Sequence, residues 1–299
     1  MNTGIENDVV RQQSFDCDGP VELDIEAGAG LVEIALADPD ADRLVHVEVR
    51  VARSDNPIGS GLTGLLNLVG RFGGTEDLPG QAVRETSIGM DGNRLEVRTP
   101  KAMPLSAVPL HVMVAAPEGS AVALRIGSAE AKITGTAAQC SVLAGSGDVD
   151  VERADGAVQV QTGSGSAHLG TIGGDLSARA GSGDLEIAVV SGAAKVTTGS
   201  GNVWIGSVRG PGLVGKTGSG DFTVADAESG DLQLTSGSGN VRVGVHAGVL
   251  AELDLTTGSG RASSELEIND GPVPGDPDAV VRLRCRTGSG DATVTRATA

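Results

Sequence analysis

The chain has 299 residues, with 22 Lys and Arg against 39 Asp and Glu, for a formal charge of −17. Its rings are Phe15, Phe72, Phe222 and Trp204, with no tyrosine, and glycine accounts for 46 positions. A chain this acidic repels phosphate backbones and anionic membranes, offers no stacked rings for bases, and has too few cysteines for a disulfide framework, so small aliphatic side chains must fill its core.

The opening MNTGIENDVVRQQSF has no basic stretch leading into an apolar one, so no secretory signal is visible. No run reaches the roughly 18 apolar residues of a membrane span, and the tail TVTRATA carries no lipidation box. The expected location is the cytoplasm, where three unpaired cysteines stay reduced.

Strands begin early. Val21, Leu23 and Ile25 alternate with acidic residues, and Val45, Val47, Val49 and Val51 alternate with His46, Glu48 and Arg50. A period of two marks a half-buried strand. Residues 54–82 break the pattern: within IGSGLTGLLNLVGRF, Leu62, Leu65, Leu66, Val69 and Phe72 fall at helical spacing. Gly59, Gly61, Gly64 and Gly70 each weaken such a helix by about 1 kcal/mol. This glycine-rich amphipathic insertion is expected to cap the end of a repeat array, or to meet a partner or membrane through residues 58–72. Strands resume over 83–126, with Leu95 and Val97, then Leu110, Val112 and Val114 before the turn Pro117-Glu118-Gly119. Residues 1–126 thus read as irregular β coils.

Residues 127–299 are periodic. Gly-Ser-Gly begins at positions 145, 163, 181, 199, 218, 237, 258 and 288, at spacings of 18, 18, 18, 19, 19, 21 and 30, and a degenerate copy starts at Gly127. Each unit holds two alternating runs. Two residues after Gly-Ser-Gly come Val149, Ala167, Leu185, Val203, Phe222 and Val241. Five residues before the next Gly-Ser-Gly come Cys140, Val158, Leu176, Ala194, Leu213, Leu232, Leu253 and Leu283. Alternation sends these columns inward and the polar residues outward. Glycine pairs suit corners with positive φ. The predicted fold is all-β: a β-solenoid with two strands per coil of about 18 residues, stacked at about 4.8 Å in two opposed parallel sheets, running continuously on from the N-terminal coils. The segment Asn269 to Ala279 is expected to be a surface loop. The last strand, Ala292 to Val294, is expected to end the array with an open edge, blunted by Arg296 and its threonines.

With the columns laid out, the chain resembles the bacterial adhesin-type family of β-strand repeat proteins called toastrack, in its actinobacterial, cytoplasmic-type branch. Three stretches carry the likeness: PVELDIEAGAGLVEIAL, PLHVMVAAPEGSAVALRIGSAEAKITG over 109–135, and VVRLRCRTGSGDATVTRA. The resemblance implies the architecture over nearly the whole chain and brings no catalytic or binding residue with it. Some similar proteins are linked to envelope-stress systems.

Several sites can be weighed on the residues. The corner column Asp148, Ser166, Asp184, Asn202, Asp221, Asn240 never sets two carboxylates on neighbouring coils, which avoids stacking like charges. It also leaves its aspartates about 9–10 Å apart, too far to share a calcium ion. The first outward column runs Lys132, Asp150, His168, Glu186, Trp204, Thr223, Arg242. Asp150, His168 and Glu186 would stand about 4.8 Å apart beside Trp204, the raw material of acid–base chemistry, but on a face expected to be flat where catalysis favours a cleft. His46, His111, His168 and His246 are scattered without metal-ligand spacing. No Gly-Ser-Gly is followed by the Lys-Ser or Lys-Thr of a phosphate loop.

These readings predict no metal and no cofactor, and a non-catalytic, envelope-associated scaffold or interaction module that meets a protein partner or another copy of itself. A hydrolase- or lyase-like activity on the outward face and a self-assembling adhesin are the alternatives.

Overall fold

The structure, a computed structural model, describes residues 9–37, 44–52, 77–266 and 280–297. The predicted helical segment with Leu62, Leu65, Leu66, Val69 and Phe72 lies outside the described residues.

The first strands are β1 (Val10–Asp16), β2 (Glu22–Ala27), β3 (Gly30–Ala37) and β4 (Leu44–Val51). After helix α1 (Leu78–Glu85) come β5 (Ser87–Asp91), β6 (Arg94–Arg98), β7 (Leu110–Pro117) and β8 (Ala121–Ile126). The repeats then alternate between the two sheets. One receives β9 (Glu130–Ala137), β11 (Val149–Ala154), β13 (Ala167–Ile172), β15 (Leu185–Val190), β17 (Val203–Val208), β19 (Phe222–Ala227), β21 (Val241–Val245), β23 (Ala262–Ser264) and β25 (Ala292–Arg296). The other receives β10 (Gln139–Ala144), β12 (Val158–Thr162), β14 (Leu176–Ala180), β16 (Ala194–Thr198), β18 (Gly212–Thr217), β20 (Asp231–Ser236), β22 (Leu250–Thr257) and β24 (Val280–Thr287).

The result is a 13-stranded and a 12-stranded sheet, parallel throughout the repeats. Side chains on the inner faces form one hydrophobic core, in which Val151 and Ile187 are fully buried. The two-strand β-solenoid read from the sequence is therefore the fold.

The start is irregular in a definite way. In the larger sheet β1 and β4 pair antiparallel, as do β4 and β7, before parallel pairing begins with β7 and β3. Helix α1 begins within the expected insertion, which ends at residue 82, and runs on over the first three positions, 83–85, where strands were expected to resume. The Asp77 carboxylate accepts the Gly80 amide at 3.0 Å and a proline occupies the first turn, two helix-start signals. The helix packs Leu78, Ala82 and Val83 against β1, β4 and the turn Leu105–Ala107 where the sheets begin.

The corner glycines work differently from expectation. Among the described residues positive φ occurs at Gly30, Gly92, Gly119, Gly135, Gly230 and Gly248, and at none of the Gly-Ser-Gly glycines. Those are glycines because the coils approach too closely for a side chain: a Cβ on Gly147 would stand 1.7 Å from the Ala129 carbonyl oxygen. From Thr198 onward the hydroxyl residue before each motif binds the stack together, whereas Ala144 and Ala180 have no hydroxyl and that of Thr162 is buried without a partner. The Thr217 hydroxyl donates to the Gly201 carbonyl of the previous coil at 3.2 Å and accepts its own Gly220 amide at 3.0 Å. Thr198, Ser236, Thr287 and Thr257 repeat this bridge.

The end of the chain corrects a further expectation. Strands β24 and β25 do not close the array. They lie between β20 and β22 in one sheet and between β21 and β23 in the other. The chain builds coil 250–264 and then threads back beneath it. The open edges at this end are β22 and β23, and Ala292 and Val294 are buried. Both last units carry the same inward columns, with Leu253 opposite Leu283, so either order satisfies the alternation.

Candidate functional site

The outward row of the 13-stranded sheet assembles as its register requires. Lys132, Asp150, His168, Glu186, Trp204, Thr223 and Arg242 stand opposite one another across seven strands. His168 Nδ1 lies 3.1 Å from Glu186 Oε2, with both side chains more than half exposed. Trp204 is 42% exposed and reaches along its own strand, so that a Cβ on Gly206 would meet its Cη2 at 3.0 Å. Arg242 Nη1 donates to Asp221 Oδ2 at 3.1 Å.

Toward the N-terminal end the same face dips into an open depression of about 750 Å³. Ala35, Ala115 and Met113 contribute to its lining, with Glu33, Glu48, His46 and Lys132 around them. Several of its polar groups are engaged: His46 with Ser14 at 2.8 Å, Gln12 with Glu48 at 2.7 Å, and Glu33 with the neighbouring His111 at 2.7 Å.

The corner column is a hydrogen-bond ladder, a role beyond charge spacing. Each side-chain oxygen accepts the backbone amide of the same position one coil on: Asp148 from Ser166 at 2.8 Å, Asp184 from Asn202 at 2.6 Å, Asn202 from Asp221 at 3.0 Å, and Asp221 from Asn240 at 2.8 Å. The threaded end extends it, with Asn240 accepting from Asp291 and Asp291 from Arg261. In space the column alternates Asp with an uncharged residue to its last step. Arg261, which has no acceptor to offer, occupies the final rung.

One cluster was not legible in the sequence. Ligand atoms of Asp226, Glu228 and His246 lie within 4.8 Å of one another. β21 is a residue shorter than β19 at this corner, and the register shift sets His246 Nδ1 2.9 Å from Asp226 Oδ2. Cations and donors already fill the cluster, since Glu228 accepts from Arg209 and Ser207, each at 2.8 Å.

The ionisable groups divide by cause. Burial would push the Asp24 carboxyl up, but a hydrogen bond from Arg94 and the charges of Arg125 and Arg98 hold it below the usual carboxylate range. Asp77 is lowered by Arg84 and the Gly80 amide, Asp221 by the Asn240 amide and Arg242, and Glu228 by Arg209 and Ser207. Burial pushes the thiols of Cys140 and Cys285 up to about 12. Cys17 is buried as well, so all three thiols are free and enclosed.

No helix among the described residues is long and apolar enough to cross a membrane. A comparison with curated proteins finds no match. Among solved structures, the chain is similar to a candidate adhesin of Bacteroides fragilis, at 10% identity over 95% of this chain and 96% of that one, with a TM-score of 0.49. It is also similar to a candidate adhesin of Parabacteroides merdae, at 11% identity over 96% and 97%, with a TM-score of 0.43. The profile of the Toastrack DUF4097 family matches residues 80–297, most of the chain, and the protein belongs to that family.

Proposed function

We propose that the protein is a non-catalytic interaction scaffold whose 13-stranded sheet presents the row around Trp204 to a protein partner. The observation that carries this reading is Trp204 itself, the sole tryptophan, held exposed on a rigid sheet between Glu186 and Thr223. Buried aromatic anchors ringed by polar groups dominate binding energy at protein interfaces, and a ladder-fixed strand presents such an anchor with little ordering cost. The reading includes a reducing, cytoplasmic setting for the three free thiols.

The test places a photo-crosslinking residue at Glu186 or Thr223 in the full chain inside its own cells, with Gln159 on the opposite sheet as control. The expected result is a discrete protein adduct from the first two positions that disappears with Trp204→Ala, a change worth a tenfold or greater loss at an interface hot spot. Adducts identical from both faces, or unaffected by Trp204→Ala, would overturn the reading.

A further inference from the structure

The two outward faces differ in charge. Six consecutive strands of the 12-stranded sheet, β8, β10, β12, β14, β16 and β18, contain no Asp or Glu, and carry Arg125, Arg179, Lys195 and Lys216. The corresponding strands of the other sheet, β9, β11, β13, β15, β17 and β19, carry Glu130, Asp150, Glu152, Glu186 and Asp226 against Lys132 and Arg153. A chain of net charge −17 therefore keeps one face basic.

The register lines these cations up. Arg125, Leu143, Gln161, Arg179, Thr197, Lys216, Thr235 and Arg286 form one row across eight strands, about 34 Å from end to end at the usual strand spacing. Toward the ends of the sheet several acids are paired: Asp24 with Arg94 and Arg125, Glu252 with Arg282 at 3.4 Å, and Asp254 with Arg284 at 3.3 Å. Between them Arg179, Lys195, Lys216 and Arg286 have no carboxylate partner among the described residues. Two acids border the row: Asp175 stands at the corner before β14 with its Oδ1 taken by the Ala193 amide, and Asp231 opens β20 opposite Arg282. Two large apolar side chains break the surface on this same face, Leu143 at 48% and Val214 at 36% exposure.

We propose that this face docks the protein on an anionic phospholipid bilayer. The complementarity is one of area as well as sign: cations sit in two adjacent rows over a broad sheet, interleaved with aliphatic side chains that suit the boundary between headgroups and chains. A nucleic acid fits less well, because no aromatic ring stands in these strands to stack a base. The acidic face does not cancel the attraction. It lies across the core, about 10 Å farther away, and fields of exposed charges fade over about 8 Å at physiological ionic strength.

The experiment is co-sedimentation of the full chain with vesicles of phosphatidylcholine alone and of phosphatidylcholine mixed with phosphatidylglycerol. Binding is expected only to the mixed vesicles and is expected to weaken with added salt. Each Lys or Arg near such a surface is worth about fivefold in partitioning, so a chain carrying Arg179→Gln, Lys195→Gln, Lys216→Gln and Arg286→Gln should lose about 600-fold. Lys132→Gln on the other face should change little, and Trp204 emission should stay constant on binding. No sedimentation with the mixed vesicles, undiminished sedimentation of the fourfold variant, or a Trp204 emission shift placing the other face on the lipid would each overturn the proposal. So would binding to an oligonucleotide without binding to the mixed vesicles.

Discussion

The ring of Phe222 in β19 fills the space over Gly215 in β18: a Cβ on Gly215 would stand 2.3 Å from Phe222 Cζ and 2.8 Å from a methyl of Leu234. The inward column holding Gly215 otherwise reads Val142, Val160, Ala178, Val196 and Leu234. The one missing side chain stands where the facing sheet supplies its one large ring. Gly215→Ala is expected to cost about 1–3 kcal/mol by overpacking. Adding Phe222→Leu should recover much of that loss, and a double-mutant cycle in denaturant would measure the coupling. Additive effects would contradict the pairing.

The alternating corner ladder makes a charge-specific prediction. Asn202→Asp keeps the acceptor for the Asp221 amide but sets three carboxylates on consecutive coils, with Asp184 and Asp221 on either side. The loss should be about 0.5–1 kcal/mol near neutral pH and should shrink as the carboxylates protonate. Thermal unfolding at neutral and acid pH separates this from loss of the hydrogen bond, which Asn202→Ala would show at both.

Asp24 gives the acid dependence its sign. Its side chain is 6% exposed and its pKa is lowered in the folded state, because Arg94, Arg125 and Arg98 outweigh the cost of burial. Its contribution is therefore complete above the unfolded carboxylate value of about 3.9 and is lost as pH falls through the lower folded value. Asp24→Asn should destabilise near neutral pH by about 1–3 kcal/mol, the worth of hydrogen bonds to a charged group. The difference from the parent chain should close in acid, as followed by denaturant unfolding against pH.

The threaded end predicts an unusual truncation. Among the described residues the ladder partners of β22 and β23 are β24 and β25. A chain ending at residue 266 should therefore lose amide protection at Asp254 and Thr256, whose amides face β24, although those residues remain in it. Stacking in chain order would instead leave β22 protected against β20. Hydrogen exchange on the truncated chain distinguishes the two.

The columns were legible because a strand repeats every two residues and a coil every 18 or so. Val149, Leu185 and Val203, or Leu176 and Leu213, therefore declare their side of the sheet without coordinates. The row from Lys132 to Arg242 followed from the same count. The meaning of the Gly-Ser-Gly corners did not, because glycine signals both positive φ and close approach, and only the position of the Ala129 carbonyl against Gly147 separates them. His246 met Asp226 and Glu228 through a one-residue shortening that no column displays. The basic face was hidden for another reason: net charge sums over both sheets, whereas a surface is felt locally.

What the sequence by itself determined is the local arithmetic: two strands per coil, the buried columns, and the polar rows that face out. These rest on alternation and on the steric limits of residues close together in the chain. Only the tertiary structure decided that residues 280–297 slip in beneath coil 250–264, that α1 covers the start of the core, and that Gly215 makes room for Phe222. Each of these depends on contacts between distant segments, where several placements satisfy the same pattern and packing selects one.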